Sequence, residues 1–231
     1  MPGSSRRLRA LAAHTAGPAA CQHGGHRPTA ATAAATAAAA AQPLGARHAA
    51  AAAQLARAYK VLHATKQYDL LWGLVSLAVG EDEFLVVRFG VPFNKVRVAD
   101  IIAVNVAGDV LSADAAVDDV VVHPAWPLLA QVHVAAGRRA TCVVHSHDDD
   151  VSLFAATRQP VLPLNQDSMM FYKERCVSWA TEDGPEFGGS TPLEAALAPA
   201  TIAVNLLNHG SLVFGEHVSF FRLCPVPPCA S

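Results

Sequence analysis

The sequence predicts a layered α/β domain built on a mainly antiparallel sheet. Short runs rich in Leu, Val, Ile and Phe alternate with segments of helical spacing, an acidic turn joins two of those runs, and no internal repeat is visible. A chain of 231 residues, 52% hydrophobic and 16% charged, is long enough for one sizeable core.

Taken in order, Leu55, Ala58, Tyr59 and Leu62 fall at helical spacing between Arg47 and Lys66, so a helix opens the domain. Leu70–Val79 and Phe84–Phe89 flank Glu81-Asp82-Glu83 and read as a hairpin. Ile101–Val106 is a further strand ended by the turn Gly108-Asp109, and Val120–Val122 is a short candidate strand. Pro127–Ala136 is helical in pattern, Thr141–His145 a strand and Val151–Thr157 a short helix. Strand-like runs recur at Val161–Leu164 and Arg175–Trp179. Glu194–Ala198 reads as a helix, and Thr201–Leu207 as an apolar strand ending in Asn208-His209-Gly210.

Charge divides the chain unevenly. Asp69 is the first acid, so the first 68 residues carry +8, while the remainder holds all 19 acids and is near −10. Residues 1–46 are Ala-rich and basic, with too few large apolar side chains to offset the entropy of ordering, and are expected to be disordered. Their Arg-rich, acid-free start resembles an organelle transit peptide, against the plainer reading of an untargeted extension. The folded domain is expected over 47–222, with an unstructured Pro- and Cys-containing tail at 223–231. No apolar run reaches the roughly 20 residues needed for a membrane span. Five scattered cysteines without a C-x-x-C pair point to reduced thiols in an intracellular protein. Cytoplasmic or cytoskeletal placement is the first expectation, a mitochondrion or plastid the second, and no nucleic-acid partner is expected.

The chemistry-bearing words are Val143-Val144-His145-Ser146-His147 and Leu206-Leu207-Asn208-His209-Gly210. Alternate residues of a strand point to one face, so His145 and His147 present both imidazoles on one side. Neutral imidazole suits zinc and related ions, and a third histidine completes a three-His site with an open position. Gly210 would let the backbone turn sharply or approach a ligand closely.

The order of these words resembles the class II aldolase/adducin family over Asp69–Gly215, about two thirds of the chain. Phe84–Gly90, Ala99–Asn105 and Gly108-Asp109-Val110-Leu111 are similar to that family's strand pair and turn. Cys142–His147 is similar to its metal-binding H-x-H, and Asn208-His209-Gly210 to its third ligand. Leu162–Gln166, Met170-Phe171-Tyr172 and Gly184-Pro185-Glu186-Phe187 look like the adducin-type branch. The resemblance implies an α/β/α layering and His145, His147 and His209 as ligands of zinc or another divalent transition metal. It also implies Ser76 and Gly90 on the substrate side, and a retro-aldol or epimerase reaction on a small hydroxy-carbonyl, sugar phosphate-like compound. A homo-oligomer is implied as well.

Three positions depart from the family pattern. The usual acid/base Glu, four residues before a helix histidine matched by His133, is Leu129. The phosphate element is reduced to Gly73-Leu74-Val75-Ser76, and Phe220–Ser231 stands where a last helix is expected. Catalysis is therefore left open, and a non-catalytic adducin-like module bound to the actin cytoskeleton is the alternative. Tyr172 is the candidate proton donor, against a packing role; Glu174 and Glu182 are weaker candidates. Asp148, Asp149 and Asp150 either orient an imidazole or cap the following helix. His123 and His217 are taken as structural.

Overall fold

The computed structural model describes residue 44 and residues 48–67, 71–112, 120–180 and 192–218. The two expected terminal segments, Glu182 and the Gly184–Phe187 word lie outside the described residues. Among the described residues no helix is long and apolar enough to cross a membrane.

Helix α1 (Ala49–Ala64) forms where the periodicity predicts it, and Ala52, Leu55, Ala56, Tyr59 and Leu62 bury one stripe of it. Its start is tied to the first hairpin by His48 Nε2, 2.9 Å from Glu83 Oε1. Strands β1 (Leu74–Ala78) and β2 (Phe84–Val87) are that hairpin, paired Ser76 with Val86 and Ala78 with Phe84. The Tyr59 hydroxyl wedges against β1, accepting the Val75 N–H at 2.8 Å and donating to the Val75 carbonyl at 3.2 Å.

Strands β3 (Ile101–Val104) and β4 (Val110–Ser112) complete one side of the sheet. Helix α2 (Trp126–Ala136) leads into β5 (Cys142–Ser146), which helix α3 (Asp149–Ala156) follows. Strand β6 (Cys176–Ala180) connects through the single turn α4 (Leu193–Ala196) to β7 (Ala203–Leu207) and then β8 (Gly210–Gly215). The eight strands lie in the order β4-β3-β2-β1-β5-β8-β7-β6, antiparallel throughout except for the parallel pair β6–β7. Alternation along β1 gives Ser76 to the face covered by α2, where it meets His133, and Leu77 to the face beside α1. The expected layered, mainly antiparallel α/β architecture is what the chain forms.

Three local expectations differ from the structure. Val120–Val122 is irregular, its one ladder-like bond being the Phe89 N–H to the Val121 carbonyl at 2.8 Å. Val161–Leu164 is also irregular: Pro160 and Pro163 remove N–H donors from the run, and Leu164 stands 82% exposed. The strand ending at Asn208-His209-Gly210 turns there, with Asn208 at φ 57°, and returns as β8, an additional central strand.

Candidate metal centre

His145 sits on β5, a central strand paired with β1 on one side and β8 on the other. The β5–β8 register pairs His145 with Leu212 and Ser146 with Ser211, so it carries the β7–β8 turn over the end of β5. His209 in that turn thereby meets His147, which directly follows the strand. The ring centroids are 4.5 Å apart for His145–His147, 5.0 Å for His145–His209 and 4.7 Å for His147–His209. One nitrogen from each ring lies within 4.8 Å of the others. The three sequence-predicted imidazoles converge.

Their protonation is legible from partners. The Ser211 carbonyl can only accept, so His145 Nδ1 donates to it at 3.0 Å, leaving the Nε2 lone pair directed at the cluster. His147 Nε2 is 2.9 Å from that nitrogen. Burial, reinforced by the neighbouring His147, pushes the His145 pKa down to about 3. Burial and His147 also lower His209. Desolvation disfavours the imidazolium, and neutral imidazole is the metal-binding form. A tetrahedral ion about 2.1 Å from each nitrogen needs nitrogens about 3.4 Å apart, against 2.9 Å for the His145–His147 pair and within 4.8 Å for all three here. Among the described residues no Asp, Glu or Cys joins the group. The donor set therefore fits a zinc-like transition ion better than a hard, oxygen-seeking one.

Gly210 has a different role from the expected one. A Cβ built there meets the Ser146 carbonyl oxygen first and His147 Cδ2 at 2.9 Å, so glycine permits close approach of β8 to β5, not of backbone to ligand. The sharp turn belongs to Asn208 instead.

The other expected site residues are placed as follows. Ser76 is fully buried on β1, and its hydroxyl lies 2.7 Å from His133 Nε2. Gly90 is exposed at the end of β2, with φ 90°. Tyr172 precedes β6, an edge strand separated from β5 by β7 and β8, and its ring lies 5.5 Å from Lys173 Nζ. It sits between two 3-10 turns (Ser168–Phe171 and Lys173–Arg175) and not on a strand. Asp148 caps α3, accepting the N–H groups of Asp150 and Val151, which gives it the capping role. Glu174 and His217 are exposed, and Leu129 is wholly buried in the apolar core. Burial pushes the free thiols of Cys142 and Cys176 up, Cys176 to about 11, so neither is a nucleophile at neutral pH.

His123, expected from the sequence to be a surface or core histidine, belongs to the core. It is buried, with Nε2 donating to the Leu71 carbonyl at 2.7 Å and Nδ1 accepting the Ala125 N–H at 3.0 Å. His147 lies near enough to help burial lower its pKa. Nothing in its spacing announces this, because the partners are 52 residues apart in one case and set by helix entry in the other.

Residues 53–220 match the family model described as class II aldolase and adducin N-terminal domain. The chain belongs to this family. Among solved structures, it is similar to an aldolase II superfamily protein from Pseudomonas syringae, at 23% identity and TM-score 0.64 over 79% of this chain and 76% of that one. It is similar to L-fuculose 1-phosphate aldolase from Glaciozyma antarctica PI12, at 22% identity and TM-score 0.64 over 92% and 76%. A sugar-phosphate aldolase from Thermotoga maritima is similar at 14% identity and TM-score 0.53 over 73% and 86%. These identities establish a shared class II aldolase fold and no more. No curated protein matches the chain.

Proposed function

We propose that this chain is a metal-dependent enzyme of aldolase or epimerase type, acting on a small hydroxy-carbonyl compound, with His145, His147 and His209 holding zinc. The convergence of three imidazoles at one sheet edge supports this. Bound there, the ion would act as a Lewis acid on the substrate's oxygens and offset negative charge developing beside the carbonyl. The chain's own contribution is positioning. The Ser211 carbonyl fixes the His145 tautomer, and the close β5–β8 approach at Gly210 sets the His147 ring. Among the described residues no carboxylate belongs to the three-ring group, so proton transfer falls to substrate, to water or to a residue outside it. The actin-binding alternative gains no support from the fold or the site.

Elemental analysis of the purified chain tests the reading. About one zinc per chain is expected, as for a three-His site. Changing His145 and His147 to Ala together removes the metal and, with it, release of a carbonyl fragment from a panel of hydroxy-carbonyl compounds. Wild-type protein that stays metal-free after incubation with zinc overturns the proposal.

A further inference from the structure

Beside the strand that carries His145, the loop 71–73 and the end of β2 form an aromatic patch. Gly73 abuts β5, since a Cβ there would lie 3.0 Å from the His145 carbonyl oxygen. The preceding Trp72 is 50% exposed, with its ring centroid 5.8 Å from Phe89. Phe89 in turn meets His123 edge-on at 5.1 Å. Val121, 53% exposed, holds the Phe89 N–H through its carbonyl. His123 closes the wall by clamping the Leu71 carbonyl.

Among the described residues, the same wall offers little of what an anionic group needs. Residues 71–75 read Leu-Trp-Gly-Leu-Val and 89–91 read Phe-Gly-Val, without a hydroxyl, amide or cationic side chain. Ser76 is turned into the core against His133. Arg88 is held by Asp100 at 3.0 Å, and Asp100 is held again by Arg97 at 3.3 Å. A phosphate placed here would lose water and gain no cationic, hydroxyl or amide side-chain donor from these segments, only the Trp72 indole N–H. A flat apolar group would instead cover an indole left half in solvent.

We propose that the end of the substrate remote from the metal is aromatic or similarly flat and apolar, seated on Trp72 and Phe89, and carries no phosphate. This rests on the metal-centred reading above. Hydroxamates, which chelate zinc through two oxygens, separate the two ideas when titrated into the zinc-loaded full chain by calorimetry. Benzohydroxamate is expected to bind about tenfold more tightly than acetohydroxamate, the scale of one good aromatic contact. A hydroxamate ending in a phosphomonoester gains nothing over acetohydroxamate. Trp72→Ala, at a half-exposed position, reduces the aryl advantage below about threefold, whereas Trp72→Phe keeps most of it. Equal binding of the aryl and methyl compounds, a preference for the phosphate tail, or an aryl preference that survives Trp72→Ala overturns the proposal. So does zinc-loaded protein that binds none of the three. A chain that takes up no zinc sinks the metal-centred reading itself, and this inference with it.

Discussion

Replacing Gly210 by Ala tests the packing that assembles the site. The added methyl points at backbone, the Ser146 carbonyl oxygen, and at His147 Cδ2 2.9 Å away. The carbonyl is fixed in the ladder, and the His147 ring can relieve the clash only by turning away from its place in the cluster. Ser146 is held in the ladder opposite Ser211, and that ladder runs back to Cys142 opposite Gly215. Restoring ordinary contact requires the end of this ladder to open by about 1 Å, an overpacking strain of about 1–3 kcal/mol. For a domain of this size each kcal/mol lowers the melting temperature by about 2–4 °C, so a fall of about 2–12 °C is expected in metal-free protein. The ring of His147 moves with the strand end, and a misaimed ligand typically weakens metal affinity by about 10–100-fold. Thermal unfolding by circular dichroism and zinc competition against a chromophoric chelator read the two effects separately. An alanine variant matching wild type in both would show that β8 does not press on β5 there. The account of how His209 reaches its partners would then fail.

Two further outcomes follow from the same geometry. Burial holds His133 near a pKa of about 4, well below the ordinary 6.5, so the unfolded chain binds the proton more readily. Its contribution to stability is full above pH 6.5 and is lost as pH falls toward 4. Denaturant titrations at pH 7 and pH 5 should differ by about 2 kcal/mol less in His133→Gln than in wild type, and equal differences would refute a neutral buried His133. Asp148→Ala should cost about 1 kcal/mol of stability through the lost α3 cap while leaving zinc content at the wild-type value. Loss of the metal in that variant would make Asp148 a participant in ligation.

Elements whose pattern is local were readable in advance. The stripe of α1, the β1–β2 hairpin around Glu81-Asp82-Glu83 and the apolar run of β5 each announce themselves by spacing within a few residues. Strand β8 did not, because Gly210 reads as a turn residue when its partner strand is unknown. Only the β5 pairing shows that this glycine is a strand position where a side chain would not fit. Val161–Leu164 failed in the opposite direction: the residue types favour a strand, but Pro160 and Pro163 leave it without a ladder. The contact between Ser76 and His133 was not readable either, since a serine on a strand gives no sign that a helix histidine will meet its hydroxyl.

The centre itself divides along the same line. His145 and His147 are two residues apart, and the period of a strand is enough to put them together. His209 stands out locally only as a histidine at the end of an apolar strand, and the family resemblance adds the expectation that it joins the pair, because its placement depends on a strand pairing more than sixty residues away in sequence. The aromatic wall was invisible, since Trp72, Phe89 and His123 meet only where three separate segments end at one edge. The energetics still mark the site as more than packing. Burying His145 costs solvation, and setting two more imidazoles against it makes charging His145 or His209 harder. Apolar side chains at these positions would avoid that cost and leave the sheet intact. A fold that is otherwise locally consistent breaks its own pattern here, and such a break is where a bound ligand would return the lost free energy.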